Sequence, residues 1–511
     1  MRASRTNIVL QPNPTRVLFR EFAPHTEERA LKIIARVMQL SEDDVQRQYQ
    51  GVLAEFKDRH RGLPEFFLKR FRHFQHLLFT DQPMSEQRQM LIGAYFTQEY
   101  AYECAALFNP SMVWHPDQSG LKAGQRRFII SLRAVGEGHI SSITFRTGTI
   151  SPDLTIDLEK ASRFATLPTP HHDRVFDKEL FEKKLYEIGV VGNFVGRVMG
   201  QLETEFTIHD LRRESRLALS TERLKGNDYS QVADSMNLLA ESNYEVVFDP
   251  EQKLSERILF PMSASDVKGL EDARFVAFTD SDAPGASMLG SISSGSPSPA
   301  SSSPASSSPQ TMFYGTYTAY NGRIFIPQLM QTPDFVNFRM STLNGPAVAN
   351  KGLALFPRKV NGKYAVISRQ DNENIFLMTS DNIHFWYEKQ ILLRPTYEWE
   401  FVQLGNCGSP IETDEGWLVL SHGVGPMRKY AIGAFLLDLE NPARVIGRTR
   451  LPILSPNDNE REGYVPNVVY SCGGQVYGEH LIIPYAMADY ASSFATIELA
   501  PLVEEMKRNG R

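Results

Sequence analysis

Arg133, Tyr320 with Arg323, Arg369, His422 and Asp489 occupy equivalent places in five segments of this 511-residue chain. Each closes an apolar β-like run that is followed, after a short gap, by a second such run. The segments are RFIISLRAVGEGHISSITF, MFYGTYTAYNGRIFIPQL, KYAVISRQDNENIFLMT, GWLVLSHGVGPMRKYAIGAFLLDL and HLIIPYAMADYASSFATIEL. Strand-like stretches ahead of them add Asp272 from GLEDARF, Lys351 from NKGLALFP and Asn467 from YVPNVV. Together these residues set three arginines, a lysine and a histidine against two aspartates. Like charges in one cleft repel, so such a set is stable only around an anion or carboxylates. Planar guanidinium groups suit phosphate or carboxylate through paired hydrogen bonds. The implied chemistry is a phosphate pocket with one carboxylic acid beside it.

Taken singly, each residue has a plainer explanation. An arginine at a strand end is usually a surface ion-pair partner, and His422 alone reads as a satisfied structural histidine. Glu271-Asp272-Ala273-Arg274 alone is a turn whose exposed ion pairs would contribute at most about 1 kcal/mol. Recurrence at one phase of a repeat joins them.

The elements that must position them follow from that repeat. Its later units recur at roughly fifty residues, near the ~40–50 of a four-stranded propeller blade. Inner strands of a propeller converge on one axial funnel, where these polar residues would meet. The sequence therefore predicts a mainly β fold, a five-bladed β-propeller over 107–500, with an irregular β-sandwich as the alternative. Residues 1–106 read as a helical region: HTEERALKIIARVMQL spaces Leu31, Ile34 and Val37 helically, Ser41 with Asp44 resembles a capping box, and a further helix runs from Met84 towards Leu107. Helical patterning returns as an insertion over about 177–245. The Ser/Pro/Gly/Ala-rich stretch of about 283–310 cannot bury a core and reads as a mobile hairpin loop. Residues 501–511 form a C-terminal tail.

Composition narrows the function classes. Hydrophobic residues at 42% and charged residues at 22% are those of a globular protein. A net charge of −6 is too near balance for a dedicated binder of nucleic acid or anionic membrane. Three cysteines, Cys104, Cys407 and Cys472, make neither a disulfide framework nor zinc-finger spacing. The opening MRASRTNIVLQPNPTR has no apolar leader run, and no stretch reaches membrane-span length, so a cytoplasmic protein is expected. AVGEGH is not a dinucleotide fingerprint, and GxSxG, Walker and HExxH motifs are absent. His171-His172 reads as loop. No metal or organic cofactor is expected, because the cluster is cationic and divalent ions need oxygen-rich cages.

With these residues in place, the sequence resembles glycoside hydrolase family 130, the β-mannoside phosphorylases and β-1,2-mannosidases. The resemblance spans roughly 107–500. It rests on GLEDARF (269–275), close to the family's GxEDPR, on TAYNGRI (318–324), on LFP preceded by Lys351, and on GSPIETDEGWLVLSHG (408–423). It continues through AIGAFLLDLENPARVIGRT (431–449), REGYVPNVVYSCGG (461–474) and Asp489. The family fold is itself a five-bladed propeller.

The resemblance implies inverting chemistry at a mannosyl residue, with Asp272 as the general acid acting through the sugar's 3-hydroxyl and inorganic phosphate as co-substrate. Arg133, Arg323, Lys351, Arg369 and His422 are then the phosphate contacts. Asn109, Arg274, Tyr320, Asn467 and Asp489 are expected at the mannosyl unit. An inverting hydrolase needs a second carboxylate about 6.5–9.5 Å away to activate water. A phosphorylase needs instead to hold a dianion, which the cationic set favours. The hydrolase, with Glu137, Glu373 or Glu412 as base, is the alternative, and a non-catalytic carbohydrate-binding propeller the third reading. Ala273 stands where the family has proline, and Ser141 or Ser142 where it has an arginine. The helical additions are expected to narrow the acceptor site or form a homo-oligomer interface.

Overall fold

Apolar residues on both faces of short strands require sheets packed against sheets, and that is how the chain folds. The structure is a computed structural model describing residues 1–78, 82–171, 175–221, 228–279 and 311–510. The expected Ser/Pro loop of 283–310 and His172 lie outside the described residues.

The protein is mainly β, and most antiparallel pairings among its described residues fall into five units. The first runs Ala106–Trp114, Arg126–Val135, Ser141–Ile150, edged by Ile156–Leu158. The second is Gly269–Phe278, Met312–Tyr320, Phe325–Thr332, Asn337–Thr342. One parallel bridge, Gly269 to Ser141, joins these two into an eleven-stranded sheet. The third is Ala354–Leu355, Tyr364–Ser368, Ile375–Ser380, Gln390–Leu393. The fourth is Gln403–Asn406, Gly416–Val424, Tyr430–Leu437, Val445–Arg448.

The fifth unit is completed from the other end of the chain. Val469–Tyr470, His480–Met487 and Ala491–Glu498 pair in series, and Ser4–Leu10 then pairs with Ala491–Glu498. Ser493 Oγ also donates to the Ile8 carbonyl at 2.7 Å. Residues 1–106 are thus not wholly helical. Ser4–Leu10 is an edge strand, and Val17–Glu21 pairs with Thr97–Ala101. The periodic segments in between do form helices, Glu27–Met38, Glu42–Phe56, Leu63–Phe74 and Glu86–Tyr95. Ser41 caps the second, its Oγ accepting from the Asp44 amide at 3.1 Å. The tail is helical too, Leu499–Asn509, with Leu502, Val503 and Met506 buried.

The apolar cores lie between successive units. Val113, Ile143 and Phe145 of the first pack with Phe275, Met330 and Phe338 of the second. Phe278 and Leu329 meet Leu355, Val366 and Met378 of the third. Phe356, Ile367 and Leu377 meet Trp417, Val419 and Phe435 of the fourth. Leu418, Leu420 and Leu436 meet Leu481, Ile483 and Ile497 of the fifth. Ile482 and Phe494 then return to Met112, Phe128 and Ile130 of the first. Each interface removes several large side chains from water, at about 1.5–3 kcal/mol for a fully buried one.

The helical insertion follows the first unit. Lys178–Glu187, Asn193–Gly200, Ile208–Thr221 and Asp228–Glu241 close their own core around Phe181, Leu185, Phe194, Leu211 and Met236. Tyr244–Val247 then joins the outer edge of the second unit.

Candidate active site

Two β-bulges in adjacent first strands create the centre of the site. In Ala106–Trp114 the ladder slips between Phe108 and Ser111, and Asn109 there adopts φ 50°. In Gly269–Phe278 it slips between Glu271 and Arg274, and Asp272 adopts φ 54°. Bulges re-aim side chains, and left-handed backbone is tolerated best by Asn, Asp and Gly. The two side chains meet: Asn109 Nδ2 donates to Asp272 Oδ1 at 2.7 Å. Ala273, next to Asp272 in this bulge, is buried.

Arg133 spans two carboxylates, donating to Asp272 Oδ1 at 3.1 Å and to Glu271 Oε1 at 2.8 Å. Its Nε donates to Ser141 Oγ at 2.9 Å. Lys351 Nζ pairs with the other Glu271 oxygen and lies 4.0 Å from the centre of the Phe325 ring. Burial opposes the ionisation of Asp272, but Arg133, Lys351 and the Asn109 amide outweigh it. They hold its carboxyl well below the usual carboxylate range. Burial pushes Asp489 the other way, up to about 6, and the nearby charge of Asp272 adds to that shift.

Arg274 and Arg369 make no ion pair among the described residues, although the charge of Asp272 acts on Arg274. Arg274, 1% exposed, donates to the Gly352 carbonyl and, at 2.6 Å, to the Tyr470 hydroxyl, but meets no carboxylate among the described residues. Gly352 touches Arg369, whose Nε is buried and unpartnered among the described residues. A Cβ built on Gly405 would stand 2.4 Å from His422 Cε1 and 2.9 Å from Arg369 Cδ, so glycine is what lets these two side chains approach. His422 is fully buried, its Nδ1 3.7 Å from Cys407 Sγ and its Nε2 unpartnered among the described residues. Burial, with Arg369 and Arg274 nearby, drives it well below the usual imidazole range, so it is neutral at pH 7. Buried donors without acceptors cost about 1–3 kcal/mol each, and an oxyanion would satisfy them.

Other expected residues stand differently. Tyr320 ends the strand Met312–Tyr320, and Arg323 belongs to the turn that follows it. Tyr320 stacks on Phe325 at 4.6 Å, while Arg323 is exposed on that rim instead of in the cluster. Its backbone is held in the turn by Asn321 Oδ1, which accepts from the Arg323 amide at 2.9 Å. Asn467, at φ 63°, accepts from Arg461 Nε at 3.0 Å. Of the alternative bases, Glu137 and Glu373 are exposed and Glu412 pairs with Arg358 at 2.6 Å. Sequence reasoning left out Glu271, Gly405 and Tyr470. Glu271 was legible as the neighbour of Asp272, whereas the other two acquire meaning only through contacts across units. No group of metal ligands occurs among the described residues, and no helix among them is long and apolar enough to cross a membrane.

A family profile described as beta-1,4-mannooligosaccharide phosphorylase, Glyco_hydro_130, matches residues 306–508. That segment contains Arg323, Lys351, Arg369, His422, Asn467 and Asp489, whereas Asn109, Arg133, Asp272 and Arg274 precede it. A 1,2-beta-oligomannan phosphorylase of Thermoanaerobacter sp. (strain X514) is 40% identical over 152 residues, 29% of this chain and 51% of that protein. A beta-1,2-mannobiose phosphorylase of Listeria innocua is 34% identical over 187 residues, 35% of this chain and 52% of that one. This chain thus spans about half the length of these curated relatives. The solved structure of a Listeria innocua beta-1,2-mannobiose phosphorylase in complex with beta-1,2-mannobiose aligns at TM-score 0.45 and 19% identity. That alignment covers 79% of this chain and 93% of the other.

Proposed function

We propose that this chain, whose segment 306–508 matches the glycoside hydrolase family 130 profile, is a member of that family and an inverting β-mannoside phosphorylase. It would cleave β-1,2- or β-1,4-linked mannooligosaccharides with inorganic phosphate to give α-mannose 1-phosphate. The observation that carries this reading is the cluster of Arg274, Arg369 and neutral His422, where neither arginine ion-pairs with a carboxylate among the described residues and Arg369 Nε and His422 Nε2 are buried without a partner there. A hydrolase has no need of such a set of basic donors, and the Glu residues considered as its base lie exposed or paired elsewhere. The five antiparallel units, packed in cyclic order and closed by Ser4–Leu10, support a five-bladed propeller with the site at its axis.

In the reaction, Asp272 supplies the proton, relayed by the mannosyl 3-hydroxyl, while phosphate attacks C1 from the opposite face. Asp272 is held ionised in the empty site. A phosphate dianion drawn to Arg133, Lys351 and Arg369 places negative charge beside it, and that favours the protonated acid. Arrival of the nucleophile would therefore arm the acid. Asn109, Asp489 and Arg274 would hold the mannosyl hydroxyls around Asp272, together with Tyr320 and Asn467. Arg323 would reach an anion only if the rim turn closes over it. A cytoplasmic location and a homo-oligomer built through the helical additions belong to the same reading.

The test is incubation with β-1,2-mannobiose or β-1,4-mannobiose with and without inorganic phosphate, followed by phosphorus NMR. Phosphate-dependent formation of α-mannose 1-phosphate is the expected result. Free mannose at full rate without phosphate would establish the hydrolase. Binding with no turnover in either condition would leave a carbohydrate-binding module.

A further inference from the structure

We propose that Glu187, on the helical insertion, is a positioning residue that fixes the segment carrying Lys351 and so sets the affinity of the site for inorganic phosphate. This inference rests on the phosphorylase reading and extends it to an element outside the sheets.

The insertion buries its own apolar core, yet its first helix, Lys178–Glu187, directs two polar side chains at the connection between the second and third units. Glu187 Oε2 accepts from the Gly345 amide at 2.6 Å. Lys184, 3.8 Å from the Glu187 carboxylate, donates to the Leu343 carbonyl at 3.4 Å. Both side chains are sheltered, at 15% and 17% exposure, so solvent competes weakly with these bonds. Gly345 has φ 106°, and a Cβ there would come within 2.1 Å of the Trp386 carbonyl oxygen. The backbone is thus pressed against Trp386, with its amide turned to Glu187.

From Gly345 the chain runs on to Lys351 with little freedom. The Ala347 amide donates to the Trp386 carbonyl at 3.1 Å, and the Ala347 carbonyl accepts from Gln370 Nε2 at 2.9 Å. Asn350, at φ 63°, donates through Nδ2 to the Gln370 carbonyl at 3.3 Å. Gln370 directly follows Arg369. The segment is therefore clamped at its start by the insertion, in its middle by the neighbour of one anion contact, and at its end by Lys351 against Glu271. Releasing the Glu187 bond frees the start, and the displacement is passed to Lys351 and Asn350 rather than to the mannosyl-binding residues Asn109 and Asp489, which other units carry.

The experiment measures KM for inorganic phosphate and for β-1,2-mannobiose in the wild-type chain, Glu187→Ala and Glu187→Gln, with thermal melts confirming folding. Glu187→Ala should raise the phosphate KM about tenfold, the scale of losing one charge-assisted hydrogen bond, and leave the mannobiose KM within about twofold. Glu187→Gln keeps an acceptor oxygen and should restore most of the loss. In a Lys351→Met background the Glu187→Ala effect should vanish, because the coupling then has no end point. A phosphate KM that stays put in Glu187→Ala overturns the inference. So does an equal rise in both KM values, or a full Glu187→Ala effect in the Lys351→Met background. A wild-type chain that is active only without need of phosphate overturns the phosphorylase reading itself.

Discussion

Asn109 donates its side-chain amide to Asp272 across 2.7 Å, and both residues hold left-handed backbone at bulges in neighbouring first strands. The proposed acid is thus oriented by backbone distortion in two strands of one eleven-stranded sheet. Rigid strands fix a catalytic group more tightly than a loop would, and the bulge turns its carboxylate out of the ladder.

Replacing Asp272 by Asn should abolish turnover, by about a thousandfold or more, since it removes the only proton donor invoked. The shape is preserved, but Arg133 loses a buried charged partner, so the melting temperature at pH 7 should fall modestly. Product formation followed by phosphorus NMR checks the first part and a thermal melt the second. Residual activity near wild type would remove Asp272 from the mechanism.

Arg369→Ala should raise the phosphate KM by about tenfold to a hundredfold, the range for one lost charge-assisted contact to an anion, with a smaller effect on the mannoside KM. Arg369→Lys should recover little of it, because a point charge does not replace a planar fork. Initial rates at varied phosphate decide this.

Gly405→Ala tests the approach of His422 to Arg369. The added methyl would stand 2.4 Å from His422 Cε1. One of the two side chains must then move, and weakened binding of inorganic phosphate should show in calorimetry. Unchanged affinity would mean that the close approach has no part in anion binding.

The pH profile should carry the signature of Asp489, whose carboxyl burial and Asp272 push up to about 6. Below that pH it is protonated and a poorer acceptor for mannosyl hydroxyls. The kcat/KM for mannobiose should therefore climb as pH rises through about 6, and Asp489→Asn should flatten that limb. The same shift means that ionising Asp489 costs the folded state stability above its unfolded value, so Asp489→Asn should raise the melting temperature at pH 8 more than at pH 4.

Deleting residues 1–10 should lower the melting temperature markedly. The deletion strips the edge strand from Ala491–Glu498 and removes the bidentate Arg5–Glu460 pair, 2.7 Å at each contact. Loss of cooperativity in the melt would show that this strand closes the sheet arrangement.

Local chemistry was readable without coordinates. Apolar β-like runs marked the strands, the repeat of phase counted five units, and GLEDARF marked Asp272 as a carboxylate on a strand-like stretch ahead of a repeat. Capping residues such as Ser41 likewise declared a helix start, since that bond lies within one turn. What no local pattern contained was partnership at long range. Ser4–Leu10 reads as a polar leader until Ala491–Glu498 supplies its ladder from the far end of the chain. Glu271 reads as surface charge until Arg133 and Lys351 arrive from two other units to share it. Arg323 and Arg369 look equivalent in sequence, yet one is exposed on the rim while Gly352 and Gly405 make room for the other inside. Strand propensity and motif chemistry are properties of neighbouring residues, whereas counter-ions, burial and unfilled donors depend on which sheets the packing of the whole chain brings face to face.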